Sequence, residues 1–216
     1  MIQSGIFDSF TMDIKKIANS LLIFTINRLI EIAGVAISIL GILLLISLIS
    51  YSPSDPNFIF PENTEIKNIL GFQGSYISDL FLQSVGLISY LMSLTFIFTG
   101  INIFNRKDLF LIIENTFFIV IYTFFGTLLF GYFYKDAFEL YINGNGGFVG
   151  NYLSQSFLNN IINSQENIYF YALILLTISL FLLSINFNIK KFILFIKKLF
   201  QIIFKSNSKN YTNKNE

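Results

Sequence analysis

Four long uncharged, largely apolar intervals divide the chain. They hold 23 residues between Glu31 and Asp55, 26 between Asp79 and Arg106, 20 between Glu114 and Lys135, and 23 between Glu166 and Lys190. A helix needs about 20 apolar residues to cross the hydrocarbon core of a bilayer. No interval carries the charged face of a soluble amphipathic helix, and backbone groups in hydrocarbon have no water to bond, so each is predicted to be helical. The pattern predicts spans at about 32–52, 80–104, 115–134 and 168–189 within a membrane domain over 29–189. The fold class is an all-α membrane protein: a bundle of four transmembrane helices with both termini cytoplasmic, plus short interfacial helices.

Turn-forming residues fall between the spans. All three prolines, Pro53, Pro56 and Pro61, lie in the first loop. Glycines gather at Gly71 and Gly74, and again at Gly144, Gly146, Gly147 and Gly150. The last group reads as a turn, because it neither follows a strand nor precedes a lysine. The loops at about 51–79 and 135–167 also hold apolar stretches, Ile69–Phe72 and Phe148–Leu158. These fit short helices on the membrane surface or packed on the bundle; a disordered polar loop is the alternative. The first span is longer than the apolar region of a cleaved signal peptide and is expected to act as a signal anchor.

Charge sets the orientation. Twelve of the 14 Lys and Arg residues fall in the N-terminal segment 1–28, the second loop and the C-terminal segment 190–216; only Lys67 and Lys135 lie in the first and third loops. The excess of positive charge marks the cytoplasmic side. Lys190, Lys191, Lys197, Lys198 and Lys205 recur at seven-residue spacing, with Phe192, Phe195, Ile196, Leu199 and Ile203 among them. This pattern predicts a basic amphipathic helix on the anionic inner surface, with continuation of the fourth helix as the alternative. Residues 206–216 are polar and read as the start of a linker.

Composition narrows the chemistry. Apolar residues make up 54% of the chain and charged residues 12%, half the share of an ordinary soluble domain. The chain has no Cys and no His, which removes disulfides, thiolate sites and imidazole bases. The string Gly-x-x-x-x-Gly-Lys-Ser/Thr does not occur in the 216 residues. No cofactor, metal or catalytic residue is expected. The span interiors hold no ionisable carboxylate or amine, so an ion-coupled transporter or channel subunit, the competing functional class, has little to work with. Broken helices, its other hallmark, are likewise not expected. Gly34, Ser38 and Gly41 share one helical face, and Ser84, Ser89, Ser93 and Gly100 supply small residues to the second span. Such faces let helices pack closely in lipid.

One stretch is specific. Ser50-Tyr51-Ser52-Pro53-Ser54-Asp55-Pro56 follows the first span, and Asn68, Gly71, Gly74 and Asp79 lead into the second, with Gly86 beyond. A later Gly146-Gly147-Phe148-Val149-Gly150 precedes the fourth span. Together these resemble the N-terminal four-helix membrane domain of the FtsK/SpoIIIE family of bacterial DNA translocases. That family carries an S-Y-x-P-x-D-P turn, an N-x-x-G-x-x-G segment ending in Asp, and a G-G-x-x-G run. The resemblance covers roughly residues 25 to 190, with Ser75 and Tyr76 where the family usually has small residues. It implies a domain that anchors a translocase in the inner membrane, enriched at the division septum. Its implied contacts are the lipid bilayer, other membrane proteins of the division machinery and self-association. The ATP-binding motor and DNA-reading domains of the family have no counterpart in these residues, so no nucleic acid is expected to bind them.

The orientation is testable. A reporter active only outside the cytoplasm is expected to stay silent when fused after Ser206 and to be active when fused near Glu62. The reverse pattern would overturn the topology.

Overall fold

The computed structural model describes residues 2–56, 65–134, 143–188, 190, 193, 194, 197, 198 and 201. It forms two compact units, Met1–Ile185 and Asn186–Glu216. Among the described residues all regular structure is helical: α1 (Ile2–Ile49), α2 (Gly71–Val85), α3 (Ile88–Arg106), α4 (Phe110–Phe133), α5 (Gly147–Ser154), α6 (Leu158–Ser164) and α7 (Glu166–Ser184). Four stretches are long and apolar enough to cross a membrane: Lys16–Ile49, α3, α4 and α7.

Two boundaries differ from the expected spans. The first helix extends beyond its expected span, running from Ile2 through residue 29, where the membrane domain is expected to start. No proline or glycine between Gly5 and Gly34 stops it, and the charge that suggested a boundary is neutralised within the bundle. Glu31 is paired with Arg28 one turn earlier and, at 3.0 Å, with Lys107 Nζ beyond the end of α3. The apolar part, Lys16–Ile49, has 34 residues and is about 51 Å long, well beyond the ~30 Å hydrocarbon core. The second interval is not one helix over 80–104 but two, broken at Gly86. Gly86 has φ +62°, a left-handed conformation that a side chain resists. The expectation of unbroken helices is therefore corrected, although α3 alone retains spanning length.

α1 packs along α3 through small residues. A Cβ on Gly34 would lie 2.7 Å from the Gly100 carbonyl oxygen and 2.8 Å from the Phe104 nitrogen, and one on Gly41 would lie 2.7 Å from the Ile97 nitrogen. The Ser38 hydroxyl, between them, donates to the Ile97 carbonyl at 3.1 Å. Gly34, Ser38 and Gly41 thus form one contact face, and its partner is the Gly100 side of α3. The backbones approach closely enough for dispersion and hydrogen bonding to replace the hydrophobic drive that lipid does not supply.

The remaining helices join through apolar clusters and buried polar pairs. Leu128 and Leu129 of α4 meet Ile162 of α6 and Leu173 of α7, and Ile88, Ile119 and Tyr122 link α3 to α4. The Thr95 hydroxyl lies 3.1 Å from Tyr122 Oη and 3.0 Å from Ser184 Oγ, tying α3, α4 and α7 at one point. Asn115 Nδ2 donates to Thr99 Oγ1 at 2.8 Å. Each bond keeps a polar group satisfied where no water reaches. Large apolar side chains cover the outside, among them Leu40 and Ile113, both about two-thirds exposed.

α1 and α3 leave no room for a side chain at Gly100. Gly100→Val is expected to destabilise the folded protein by about 1–3 kcal/mol, the usual range for overpacking. A lowered midpoint of thermal unfolding, followed by far-ultraviolet circular dichroism in detergent, checks this. Ile101→Val, on the exposed neighbour, is expected to leave the midpoint within error.

Candidate functional site at the motif end of the bundle

α1 ends where the Ser50–Pro56 turn begins, at the end of the bundle away from the Glu31–Lys107 pair. Pro53 and Pro56 cannot continue a helix, and the chain turns. Asp55 is buried and binds the returning segment of the loop: Oδ1 accepts from the Lys67 amide at 3.0 Å and Oδ2 from the Asn68 amide at 2.8 Å. Pro56, also buried, offers its carbonyl to the Ser75 hydroxyl at 2.8 Å. Pro53 is exposed.

Asn68 is the centre of this cluster. Its Oδ1 accepts the Leu70 amide at 3.0 Å, a side-chain turn that starts α2. Its Nδ2 donates to the Ser47 carbonyl of α1 at 2.9 Å and lies 3.4 Å from Ser78 Oγ. The Ser47 hydroxyl in turn donates to the Gly74 carbonyl at 2.5 Å. A Cβ on Gly74 would press on Leu70 at 2.5 Å, so α2 sits against its own entry turn only because residue 74 has none. Gly71 has φ +66° and open space beside it; backbone conformation, not packing, selects glycine there.

Asp79 lies one turn above Ser75 and accepts from Tyr51 Oη at 3.1 Å. Burial, helped by the nearby Asp79 charge, pushes the Tyr51 phenol up, so it remains a proton donor through the neutral range. Tyr90 of α3 donates to the Leu48 carbonyl at 2.9 Å, satisfying a carbonyl in the last turn of α1.

The glycines of the third loop assemble on the other side of α2. Gly147 has φ +64° and opens α5, so the Gly144–Gly150 run is not a turn alone: its second half is the first turn of a helix. A Cβ on Gly147 would lie 2.5 Å from the Gly86 nitrogen, and one on Gly146 would lie 2.7 Å from the Thr127 carbonyl oxygen. Gly150 backs onto Thr127 and Gly131 of α4. The break at Gly86 is therefore filled by protein. The Leu87 amide, freed by the break, donates to the Asn145 carbonyl at 3.0 Å. Asn145 also donates from Nδ2 to the Tyr134 carbonyl. Asn143 reaches the Gln83 carbonyl and Oε1, each at 3.3 Å.

Residues 27–196 match the family model described as the 4TM region of DNA translocase FtsK/SpoIIIE. The chain belongs to this family. It is 36% identical over 73 residues to a DNA translocase FtsK of Azospirillum brasilense, covering 33% of this chain and 12% of that protein. It is 31% identical over 84 residues to the DNA translocase FtsK of Rickettsia prowazekii, 38% of this chain and 11% of that protein. A Rickettsia bellii DNA translocase FtsK is 27% identical over 89 residues, 40% of this chain and 12% of that protein. The chain thus spans only about an eighth of the length of these relatives. No solved structure matches it. Four apolar helices within this FtsK region make the chain a multi-pass protein of the bacterial inner membrane.

In this FtsK membrane domain the motif residues form one interconnected end of the bundle. Tyr51, Asp55, Pro56, Asn68, Gly74 and Asp79 share the network between α1 and α2, while Gly146, Gly147 and Gly150 wedge α5 between Gly86 and α4. Ser75 joins it, and Ser47, Ser78, Gln83, Asn143 and Asn145, which the sequence alone does not mark, complete it. Serines and asparagines are common in loops, and nothing in their spacing marks these as buried. Ser75 is buried, and its hydroxyl donates to the Pro56 carbonyl. In the C-terminal unit, Lys190, Lys197 and Lys198 lie in helical backbone and are exposed; Lys191 and Lys205 fall outside the described residues.

Asp55 and Asn68 bind loop and helix backbone, so their direct effect is to set loop geometry. Asp55→Ala leaves two amides without their carboxylate and is expected to destabilise the fold by about 2 kcal/mol. Asp55→Asn, which keeps one acceptor, is expected to lose less. Thermal unfolding of both variants in the same detergent measures the order; equal stability of all three proteins would contradict it.

Proposed function

We propose that this chain is the membrane-anchoring and septum-targeting domain of a DNA translocase that acts in cell division and chromosome segregation. The match over residues 27–196 to the FtsK/SpoIIIE membrane region carries this reading. The geometry supports it: the buried polar bonds of Asp55, Asn68 and Ser75 hold a shaped loop surface. A surface of that kind works by docking. Around the network, Ile69, Phe72, Phe148 and Tyr152 stand exposed, with Phe72 and Tyr76 stacked at 6.2 Å and Phe148 and Tyr152 at 6.5 Å. These rings supply contacts for other membrane proteins of the division machinery or for further copies of the chain. The motor that consumes ATP and moves DNA belongs to other parts of such translocases.

The basic segment fits the same role. Lys190, Lys191, Lys197, Lys198 and Lys205 attract anionic lipid at the inner surface, each contributing about 1 kcal/mol near the membrane. They would hold the exit of the fourth span against the bilayer and set the start of the path toward a motor.

A fluorescent fusion of residues 1–216 is expected to concentrate at the division septum. Replacing Asp55 and Pro56 by Ala is expected to weaken that placement while leaving membrane insertion intact, because the spans are unchanged. An even distribution of the unmodified fusion around the dividing cell contradicts the anchoring role, and solute flux through vesicles holding the purified protein would favour a transporter instead.

A further inference from the structure

α1 does not end with the bundle. Glu31 meets Lys107 at the end of α3, and residues 2–30 of the same helix lie beyond that pair, on the cytoplasmic side. In this arm Ile17, Leu21 and Phe24 are 61%, 62% and 57% exposed. No tilt hides them in lipid. At about 40°, the upper end of the usual range for spans, a ~30 Å core takes in only about 39 Å of helix. The apolar stretch Lys16–Ile49 is about 51 Å long. Nor can the arm fold down onto the bilayer. α1 is one unbroken helix with neither proline nor glycine between Gly5 and Gly34, and a sharp bend needs such a residue or a bulge.

The sequence of the arm says what covers it. Phe7, Phe10, Ile14, Ile17, Leu21 and Phe24 recur at alternating intervals of three and four, which fills both apolar positions of three successive heptads. The next two positions of the stripe are Arg28 and Glu31. There the stripe turns charged, and Glu31 is taken by Arg28 and by Lys107 of the same chain. We propose that the stripe from Phe7 to Phe24 pairs with the same stripe of a second copy in a parallel two-stranded coiled coil. It rests on the four-span topology and not on septal placement. A heptad stripe is self-complementary, because each apolar side chain enters a hole between four residues of an identical stripe. Both arms rise from the same side of one membrane, which fixes them parallel and raises their effective concentration. Lys15 and Lys16 lie on the helix away from the stripe, so pairing does not bring these charges together. Ile26 and Leu29, also off the stripe, lie within about 8 Å of Glu31 along the helix, at the depth of the headgroups. The pairing sets two membrane bundles side by side and ends where each α1 meets its own α3.

Single cysteines test this, since the chain has none of its own. The purified full chain is reconstituted in vesicles of phosphatidylethanolamine and phosphatidylglycerol and oxidised with copper phenanthroline. Only residues whose Cα atoms come within about 7 Å can be bridged. Ile17→Cys, Leu21→Cys and Phe24→Cys are each expected to give several times more disulfide-linked dimer than Asn19→Cys, Ile23→Cys or Ile26→Cys. Ile23 and Ile26 are as apolar as the stripe, so random apolar collision would link them equally. Leu21→Glu, added to the Phe24→Cys chain, is expected to abolish the dimer, and Asn19→Glu in the same chain is expected to keep it. No dimer at the stripe positions, equal yields at all six, or a Leu21→Glu chain that still links fully would overturn the proposal. Resistance to alkaline extraction, measured on the same vesicles, reports membrane insertion separately.

Discussion

Close backbone contact between α1 and α3 fixes the frame on which everything else is built. At Gly34, Ser38 and Gly41 the first helix lies against Ile97, Gly100 and Phe104 with no side chain to keep them apart. This seam sets the axial position of α1, and with it the height at which Ser47, Leu48 and Tyr51 arrive at the end of the bundle. Only there can the Ser47 carbonyl take the Asn68 amide, the Leu48 carbonyl take the Tyr90 hydroxyl, and Tyr51 reach Asp79. At the opposite end, the Glu31–Lys107 pair secures the same alignment. The loops depend on the seam, and the seam depends on glycine.

The motif end answers a second constraint. Any peptide group withdrawn from water needs a partner inside the protein. A helix broken at Gly86 frees such groups, and a loop returning over a helix end buries more. The chain satisfies them with short polar side chains: Asp55 for the Lys67 and Asn68 amides, Asn68 for Leu70, and the Asn145 carbonyl for Leu87. The glycines then permit the approach, Gly74 on the entry to α2 and Gly147 on Gly86. The residues that resemble the family pattern are thus largely those with two jobs, bonding a loop and leaving space for it. A docking domain benefits from such rigidity, because a preformed surface loses less entropy on binding.

Charge spacing and hydropathy made the four spans legible before any coordinates, because crossing hydrocarbon imposes a length and excludes charge. The Gly34–Ser38–Gly41 face was equally legible, since small residues at helical spacing have one main use in lipid. The break at Gly86 was not. A charge-free interval bounds a helix from outside and says nothing of an interruption enforced by Asn145 and Gly147, some 60 residues away. The length of α1 before residue 29 is not legible either, because a carboxylate paired with Arg28 and Lys107, as Glu31 is, does not stop a helix. Asn68, Gly71 and Gly74 were visible as a pattern, whereas Ser47, Ser75, Ser78 and Asn145 look like ordinary loop or span residues. What they do depends on neighbours distant in sequence.

The central claim is that residues 50–56 and 65–79 form a built surface, held by Asp55 and Asn68. Hydrogen–deuterium exchange of the protein in lipid nanodiscs, resolved at the amides of Lys67, Asn68, Leu70 and Gly71, addresses it most directly. Each of these amides donates to Asp55 or Asn68. The account requires all four to exchange far more slowly than an unstructured peptide of the same sequence, and Asp55→Ala to release Lys67 and Asn68 first. Exchange of these amides at the unstructured rate in the unmodified protein would contradict it.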